Sequence, residues 1–182
     1  MLHLTCVDPG LSPRSGMRNV SSRRRRRGRA SPQGPLLERA QDPAGMPLPR
    51  PSEVALEIAG LGSGPSGVSA VQSLGLTTQV PAIEQVAVAG RVPAPIVVRF
   101  VSRSIERRIA GLHPVEVALL EVLRAGPGVV EAPWIDVADV AGRLAKGGAI
   151  RPELLAQQLA REYHVAARDR FDELGLDQAV SA

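Results

Sequence analysis

The sequence has very few residues that could form disulfides, cysteine-based metal sites or aromatic stacking surfaces. Cys6 is the only cysteine among 182 residues, which excludes an intrachain disulfide and a multi-cysteine metal site. Aromatic residues make up only 2% of the chain, so a platform that stacks single-stranded bases is not expected. The core should therefore consist of Leu, Val, Ile and Ala, and its only rings would be Phe100, Trp134, Tyr163 and Phe171.

Long apolar runs are also missing. No window approaches the ~20 apolar residues that a transmembrane helix needs. Asp8, Pro9 and Pro13 interrupt the N-terminal stretch that would otherwise form a secretory signal. We therefore expect a cytoplasmic protein that does not associate with membranes.

Positive charge is concentrated at the N-terminal end of the chain. Residues 1–50 contain ten arginines and three acidic residues, a net charge of +7, whereas the remainder carries −3. Residues 1–47 are rich in Arg, Pro and Gly and lack an apolar period, which predicts a disordered leader. Such a leader is either a nucleic-acid-binding arm that contacts phosphates or a segment that results from a wrongly assigned start codon. Its basic run consists of Arg23, Arg24, Arg25, Arg26 and Arg27.

Residues 48–182 have the pattern of an α+β domain. Short helices and a β-hairpin or small sheet are expected first, followed by a helical C-terminal tail. Ser52 is the expected N-cap of the first helix. The predicted elements are short helices near 52–61 and 68–74, paired strands at 83–89 and 96–101, and helices at 114–125, at 134–146, from Pro152 to about Tyr163, and at about 167–174.

Catalytic patterns are weak in this sequence, and we expect neither an enzyme nor a bound cofactor or metal. His113 adjoins Pro114 at a predicted helix start, where capping explains it more simply than base catalysis. His164 lies at a predicted helix junction. The three histidines also lack zinc-site spacing. Carboxylate pairs fall on helices, where solvated faces are expected: Glu116 with Glu121, Asp136 with Asp139, and Asp172 with Glu173.

Three stretches resemble a known family. Residues 65–82 (PSGVSAVQSLGLTTQVPA) closely resemble the signature of the AbiEi-type antitoxins of type IV toxin–antitoxin systems. Residues 98–104 (VRFVSRS) resemble the family's strand that ends in a basic loop. Residues 112–124 (LHPVEVALLEVLR) resemble its Leu-x-Pro-x-Glu helix. The resemblance covers roughly residues 48–175.

This resemblance implies a non-enzymatic transcriptional regulator that counters a nucleotidyltransferase toxin and binds operator DNA. Family members place a winged helix-turn-helix before the antitoxin domain, but residues 1–47 contain no amphipathic helix pattern. The alternative is therefore a protein-interaction domain, or a truncated remnant, that does not bind DNA. An enzyme is the third hypothesis, and the paired-Asp arrangement that holds two catalytic metals is missing.

Two sets of polar residues are the candidate contacts. The loop after residue 75 exposes groups that could bind a protein partner or could simply satisfy local backbone groups. Arginines after the second predicted strand form a basic patch that could contact phosphates. The partner-binding candidates are Thr77, Thr78 and Gln79, and the nucleic-acid-binding candidates in the domain are Arg99, Arg103, Arg107 and Arg108.

Overall fold

The structure is a computed structural model that describes residues 48–94 and 97–176. The predicted disorder of residues 1–47 and the arginine run within them lie outside this part. In chain order the elements are α1 (Pro51–Ala59), β1 (Gly64–Pro65), α2 (Val68–Ser73), β2 (Gln85–Ala89), β3 (Arg99–Arg103), α3 (Glu106–Ile109), α4 (Pro114–Ala125), a short 3₁₀ turn (Pro127–Val129), α5 (Trp134–Lys146), α6 (Pro152–Arg161) and α7 (Val165–Glu173).

The architecture confirms the predicted α+β class. A small three-stranded sheet occupies the first half of the described chain, and helices form the second half. Among the described residues, no helix is both long enough and apolar enough to cross a membrane.

The sheet differs from the predicted hairpin. Its strand order is β1-β2-β3, and β1 is antiparallel to β2. However, β2 and β3 run parallel, with Gln85 opposite Arg99 and Ala89 opposite Arg103. The hairpin prediction is therefore wrong. Parallel pairing requires the segment between β2 and β3 to run back along the length of β2, about 16 Å. The many Gly and Pro residues in that segment do not indicate whether it turns tightly or runs back.

β2 lies between two apolar clusters because its side chains alternate between the two faces of the sheet. Val86 and Val88 pack with the alanines of α1, whereas Ala87 belongs to the larger core around α4. β3 is one of the two edge strands, and its Arg99 and Ser102 are exposed. In the sequence this strand is apolar on both faces, which predicts burial on both faces. The exposed Arg99 and Ser102 show that this prediction is wrong.

α1 forms where it was predicted, but its cap differs from expectation. The N-cap residue is Arg50, not Ser52. The backbone N–H of Arg50 donates to the Glu53 carboxylate at 2.8 Å, which satisfies the start of the helix. Small alanines face the sheet, while Val54 and Ile58 are 40% and 59% exposed.

α4 is the central helix of the fold. Every residue from Glu116 to Leu123 is buried, because the helix packs against β1, α2, α6 and α7 on different sides. Pro114 occupies its first turn, and Gly126 ends it with a φ of +77°. A helix surrounded in this way must bury any polar side chain that it carries.

The helical tail follows the prediction closely. The predicted bounds of α5 are confirmed, and α6 begins at Pro152 as expected. Tyr163 is the exception: it lies beyond α6 with a φ of +53° and is 91% exposed. Of the four rings expected in the core, only Phe171 is buried, while Phe100 and Trp134 are half-buried.

Candidate functional site: an interior ion-pair cluster beneath a basic cleft

Glu121 of α4 brings together groups that are far apart in the sequence. Its carboxylate accepts hydrogen bonds from Ser66 Oγ at 2.8 Å and from Arg103 Nε and Nη2 at 2.7 and 2.6 Å. Arg107 Nη1 donates to it at 2.8 Å. Ser66, Arg107 and Glu121 are all at most 3% exposed. The four donors occupy all the acceptor positions that a carboxylate offers.

The glycines of the Gly-Pro-Ser-Gly turn place Ser66 against α4. A side chain at Gly64 would bring its Cβ within 2.6 Å of Val117 Cβ, so only glycine lets β1 lie so close to the helix. Gly67 follows with a φ of +56°, a conformation that other residues rarely adopt. The turn therefore requires these residue types for packing.

Glu162, just after α6, is the second carboxylate of the site. It accepts hydrogen bonds from Arg107 Nε at 2.5 Å and Nη2 at 2.9 Å. Arg124 Nη1 and Gln158 Nε2 donate to it at 3.0 and 2.9 Å. Arg107, whose side chain is fully buried, therefore bridges both carboxylates. We call Arg103, Arg107, Arg124, Glu121 and Glu162 the ion-pair cluster.

The cluster holds its carboxylates in the ionised form. Burial by itself would raise the pKa of Glu121, but the hydrogen bonds from Arg103 and the charges of Arg107 and Arg103 outweigh it. The pKa of Glu121 falls from its ordinary 4.5 to about 2. Burial also opposes ionisation of Glu162, yet Arg107 lowers the pKa of that carboxyl in the same way. Both groups are anions at neutral pH, so they act as hydrogen-bond acceptors rather than as proton-accepting bases.

The buried carboxylates correct one sequence-based expectation. Glu116 and Glu121 do not lie on a solvated helix face. Glu116 is fully buried, and it accepts hydrogen bonds from His113 N at 2.8 Å and from Arg151 N and Nε at 3.0 and 2.8 Å. It thereby joins the start of α4 to the start of α6. Exposure was predicted correctly for Asp139, Asp172 and Glu173.

The four arginines predicted to contact phosphates do not form a single basic patch. Arg107 has no exposed surface, and the inner fork of Arg103 is occupied by Glu121. Arg99 and Arg108 are exposed, and Arg108 Nη2 donates to the Ala59 carbonyl at 2.9 Å. The interpretation of Arg107 as a phosphate contact is therefore wrong, because its guanidinium is enclosed by carboxylates.

The predicted partner-binding loop lies on the surface and contacts a distant acid. Thr77 Oγ1 and Gln79 Nε2 both donate to the carboxylate of Glu131, in the loop before α5. Thr77 Oγ1 also accepts a hydrogen bond from the backbone N–H of Gln79 at 3.1 Å. Thr78 is exposed beside them. We call Thr77, Gln79 and Glu131 the surface clasp.

The two histidines in the domain are at helix starts, as expected. His113 is the N-cap residue of α4 and is exposed. His164 is the N-cap residue of α7, and its Nδ1 accepts a hydrogen bond from the Ala167 N–H at 3.1 Å. Capping was predicted for His113, which is the N-cap residue of α4, whereas the cap at His164 is a finding of the structure.

Arg124, Arg161 and Glu162 complete the site, and no sequence pattern indicated them. A cleft of about 330 Å³ opens above the ion-pair cluster, between the end of β3 and the ends of α4 and α6. We call it the basic cleft. No local pattern marks Glu162 as a partner of Arg107, which precedes it by 55 residues. The cleft is lined by Ser102, Arg103, Ser104, Arg124, Arg161 and Glu162.

Comparison of the chain with known protein families, with curated proteins and with solved structures finds no match.

Proposed function

We propose that this chain is a non-enzymatic, antitoxin-like transcriptional regulator that counters a nucleotidyltransferase toxin. The proposal starts from the resemblance of three sequence stretches to the AbiEi-type antitoxins. In this proposal the domain binds a partner, and its buried charges maintain the conformation of the domain rather than catalyse a reaction.

One observation carries the proposal: the three stretches meet at one point of the fold. Ser66 belongs to the first stretch, Arg103 to the second and Glu121 to the third, and the Glu121 carboxylate binds both of the others. A chance resemblance of three separate segments would not require their polar residues to pair. Their convergence supports the view that the stretches define one structural unit.

The electrostatics of the cluster favour a regulator over an enzyme. A general base needs a pKa near the working pH, whereas Glu121 has a pKa of about 2. Its acceptor positions are already occupied by Ser66, Arg103 and Arg107. Buried ion pairs of this kind seldom add net stability compared with apolar side chains, and conformational specificity is one role proposed for them.

Rescue of growth tests the proposal. The full chain and residues 48–182 would each be co-expressed with a nucleotidyltransferase toxin of a type IV system, and growth would be followed after induction of the toxin. We expect both to restore growth. The Glu121→Ala variant should lose rescue in proportion to its loss of folded protein, whereas Asp139→Ala, at an exposed position on α5, should rescue fully. Failure of the wild-type chain to restore growth would contradict the proposal.

DNA binding is a separable part of the proposal. Arg99 and Arg108 are the domain arginines from the sequence prediction whose exposure allows contact with an operator. We expect the Arg99→Ala/Arg108→Ala variant to bind its own promoter more weakly in a gel-shift assay, with a reduced salt dependence. The matched control is Arg143→Ala/Arg168→Ala, which removes two exposed arginines elsewhere. Equal binding by both variants would favour the protein-interaction alternative.

A further inference from the structure

The basic cleft contains more positive charge than the ion-pair cluster below it can neutralise. Around it, four guanidinium groups face three carboxylates, which leaves one positive charge in excess: Arg103, Arg107, Arg124 and Arg161 against Glu121, Glu162 and Glu106. Glu162 already accepts four hydrogen bonds from Arg107, Arg124 and Gln158. The cleft therefore presents unbalanced positive charge to solvent.

Two of these arginines have donors that the carboxylates of the ion-pair cluster do not use. Arg124 uses only Nη1 to reach Glu162, and within residues 48–94 and 97–176 its Nε and Nη2 have no hydrogen-bond partner. Arg161 is 53% exposed, and its Nη1 lies 3.3 Å from Glu106 Oε2, which is also exposed to solvent. Exposed ion pairs of this kind contribute little, so Arg161 can exchange Glu106 for another anion at little cost.

A second hollow, of about 380 Å³, adjoins the first and shares Arg103 and Arg124 with it. His164 and Gln85 line this hollow. Because Nδ1 of His164 accepts a hydrogen bond from the backbone, the proton of the neutral ring lies on Nε2, which makes that atom a donor. Glu121 also lines the second hollow, but its carboxylate is already bound by Ser66, Arg103 and Arg107. The polar groups that stay available there are therefore mainly hydrogen-bond donors.

The geometry points to the basic cleft as a binding site for a phosphoryl group, with Arg124 and Arg161 as its direct contacts. Guanidinium forks match the tetrahedral oxygens of a phosphate and form charge-assisted hydrogen bonds with them. Arg103 is a positioning residue: its bidentate pairing with Glu121 holds β3 against α4 and fixes that wall of the cleft. The inference does not depend on the proposed regulatory function.

A calorimetric titration of the full chain with inorganic phosphate tests this site. We expect saturable binding that the Arg124→Ala/Arg161→Ala variant weakens by about tenfold or more, since each lost charge-assisted hydrogen bond contributes about that factor. The control, Arg143→Ala/Arg168→Ala, removes the same charge at exposed positions of α5 and α7 and should bind like the wild type. Absence of binding by the wild type, or equal weakening by both variants, would overturn the assignment.

Arg124→Ala removes one partner of buried Glu162 and could reduce folding, so Arg161→Ala is tested alone as well. Its exposed side chain can be removed without leaving a buried charge unpaired, and circular dichroism melting would verify the fold. We expect this single variant to bind phosphate about tenfold more weakly with an unchanged melting curve. Wild-type affinity in this variant would overturn the role of Arg161. Equal affinity of the wild type for acetate would overturn the preference for a phosphoryl group.

The source of the phosphoryl group is resolved by competition with a short DNA duplex. If the cleft binds a nucleic-acid backbone, the duplex will displace inorganic phosphate, and the Arg124→Ala/Arg161→Ala variant will bind both more weakly. If it binds a free phosphate or nucleotide, the duplex will leave phosphate binding unchanged. Either outcome supports the site and identifies its ligand. If the duplex displaced phosphate equally well from the Arg143→Ala/Arg168→Ala control and from the Arg124→Ala/Arg161→Ala variant, the bound phosphate would lie outside the cleft and the assignment would be contradicted.

Discussion

Two carboxylates, Glu121 and Glu131, tie the 65–82 segment to the second half of the chain in opposite environments. Glu121 is 3% exposed and binds Ser66 at the beginning of the segment. Glu131 lies on the surface and binds Thr77 and Gln79 near its end. The acceptor chemistry is the same in both places, and the hydroxyl donors are closely similar. The difference between them is burial, together with the two arginines, Arg103 and Arg107, that also bind Glu121.

That difference decides which contact maintains the fold. In the interior the effective dielectric constant is low, so charges interact strongly and an unpaired charge is costly. At the surface, water competes for the same donors and acceptors. The hydrogen bond from Thr77 lowers the pKa of Glu131, but the group keeps its contact with solvent. The buried contact should therefore control stability, and the exposed contact remains available for exchange with a partner.

The largest expected effect comes from removing the buried carboxylate. Glu121→Ala leaves Arg107 enclosed with only Glu162 to neutralise it and frees Arg103 from its bidentate pairing. Truncating one partner of a buried ion pair typically costs about 3–5 kcal/mol. Urea denaturation at neutral pH would measure the loss, and the exposed Asp139→Ala variant should unfold like the wild type. A loss no larger than that of the control would mean that the cluster is better solvated than its burial indicates.

Acid should weaken the same contact next. The pKa of Glu121 is lowered from 4.5 to about 2 in the folded protein. Its contribution is complete above the unfolded pKa and is lost as the pH falls through the folded one. The loss should therefore occur between about pH 5 and pH 2 and amount to about 3 kcal/mol. The lowered pKa values of Glu116 and Glu162 add to it in the same direction.

A pH series of urea unfolding curves checks the acid effect, and Glu121→Gln is the matched variant. The amide keeps the shape of the side chain but does not titrate, so its stability should depend less on pH over this range. An unchanged slope in Glu121→Gln would assign the acid sensitivity to other carboxylates.

Much of the fold could be predicted from the sequence because the residues that start and end its helices act locally. Pro114 and Gly126 bound α4, and Pro152 starts α6, since proline fits a first helical turn and glycine fits a positive φ at a helix end. Strand direction could not be predicted in the same way. The parallel pairing of β2 with β3 depends on the path of the connecting segment, which its composition does not fix.

The site was less predictable than the fold because its pairs are not local. Glu121 lies in an apolar stretch of α4, and a charged residue in a helix is usually solvated. Here α4 is surrounded on all sides, so Glu121 is buried with the apolar residues beside it. Its partners Ser66 and Arg103 lie 55 and 18 residues earlier in the chain. Only the resemblance of the three stretches to one family suggested that they belong together.

The smallest effects allow the most direct comparison of the two carboxylates. Ser66→Ala removes one donor from a buried, charged acceptor and should cost about 1.5 kcal/mol, with Arg103 and Arg107 still bound to Glu121. Thr77→Ala removes the corresponding donor from Glu131 and should leave the urea midpoint unchanged, because water replaces the hydroxyl. If the surface clasp contacts the toxin, Thr77→Ala should nevertheless reduce growth rescue. If Thr77→Ala lost as much stability as Ser66→Ala, the surface clasp would support the fold. The partner-binding prediction for Thr77 would then lose its basis.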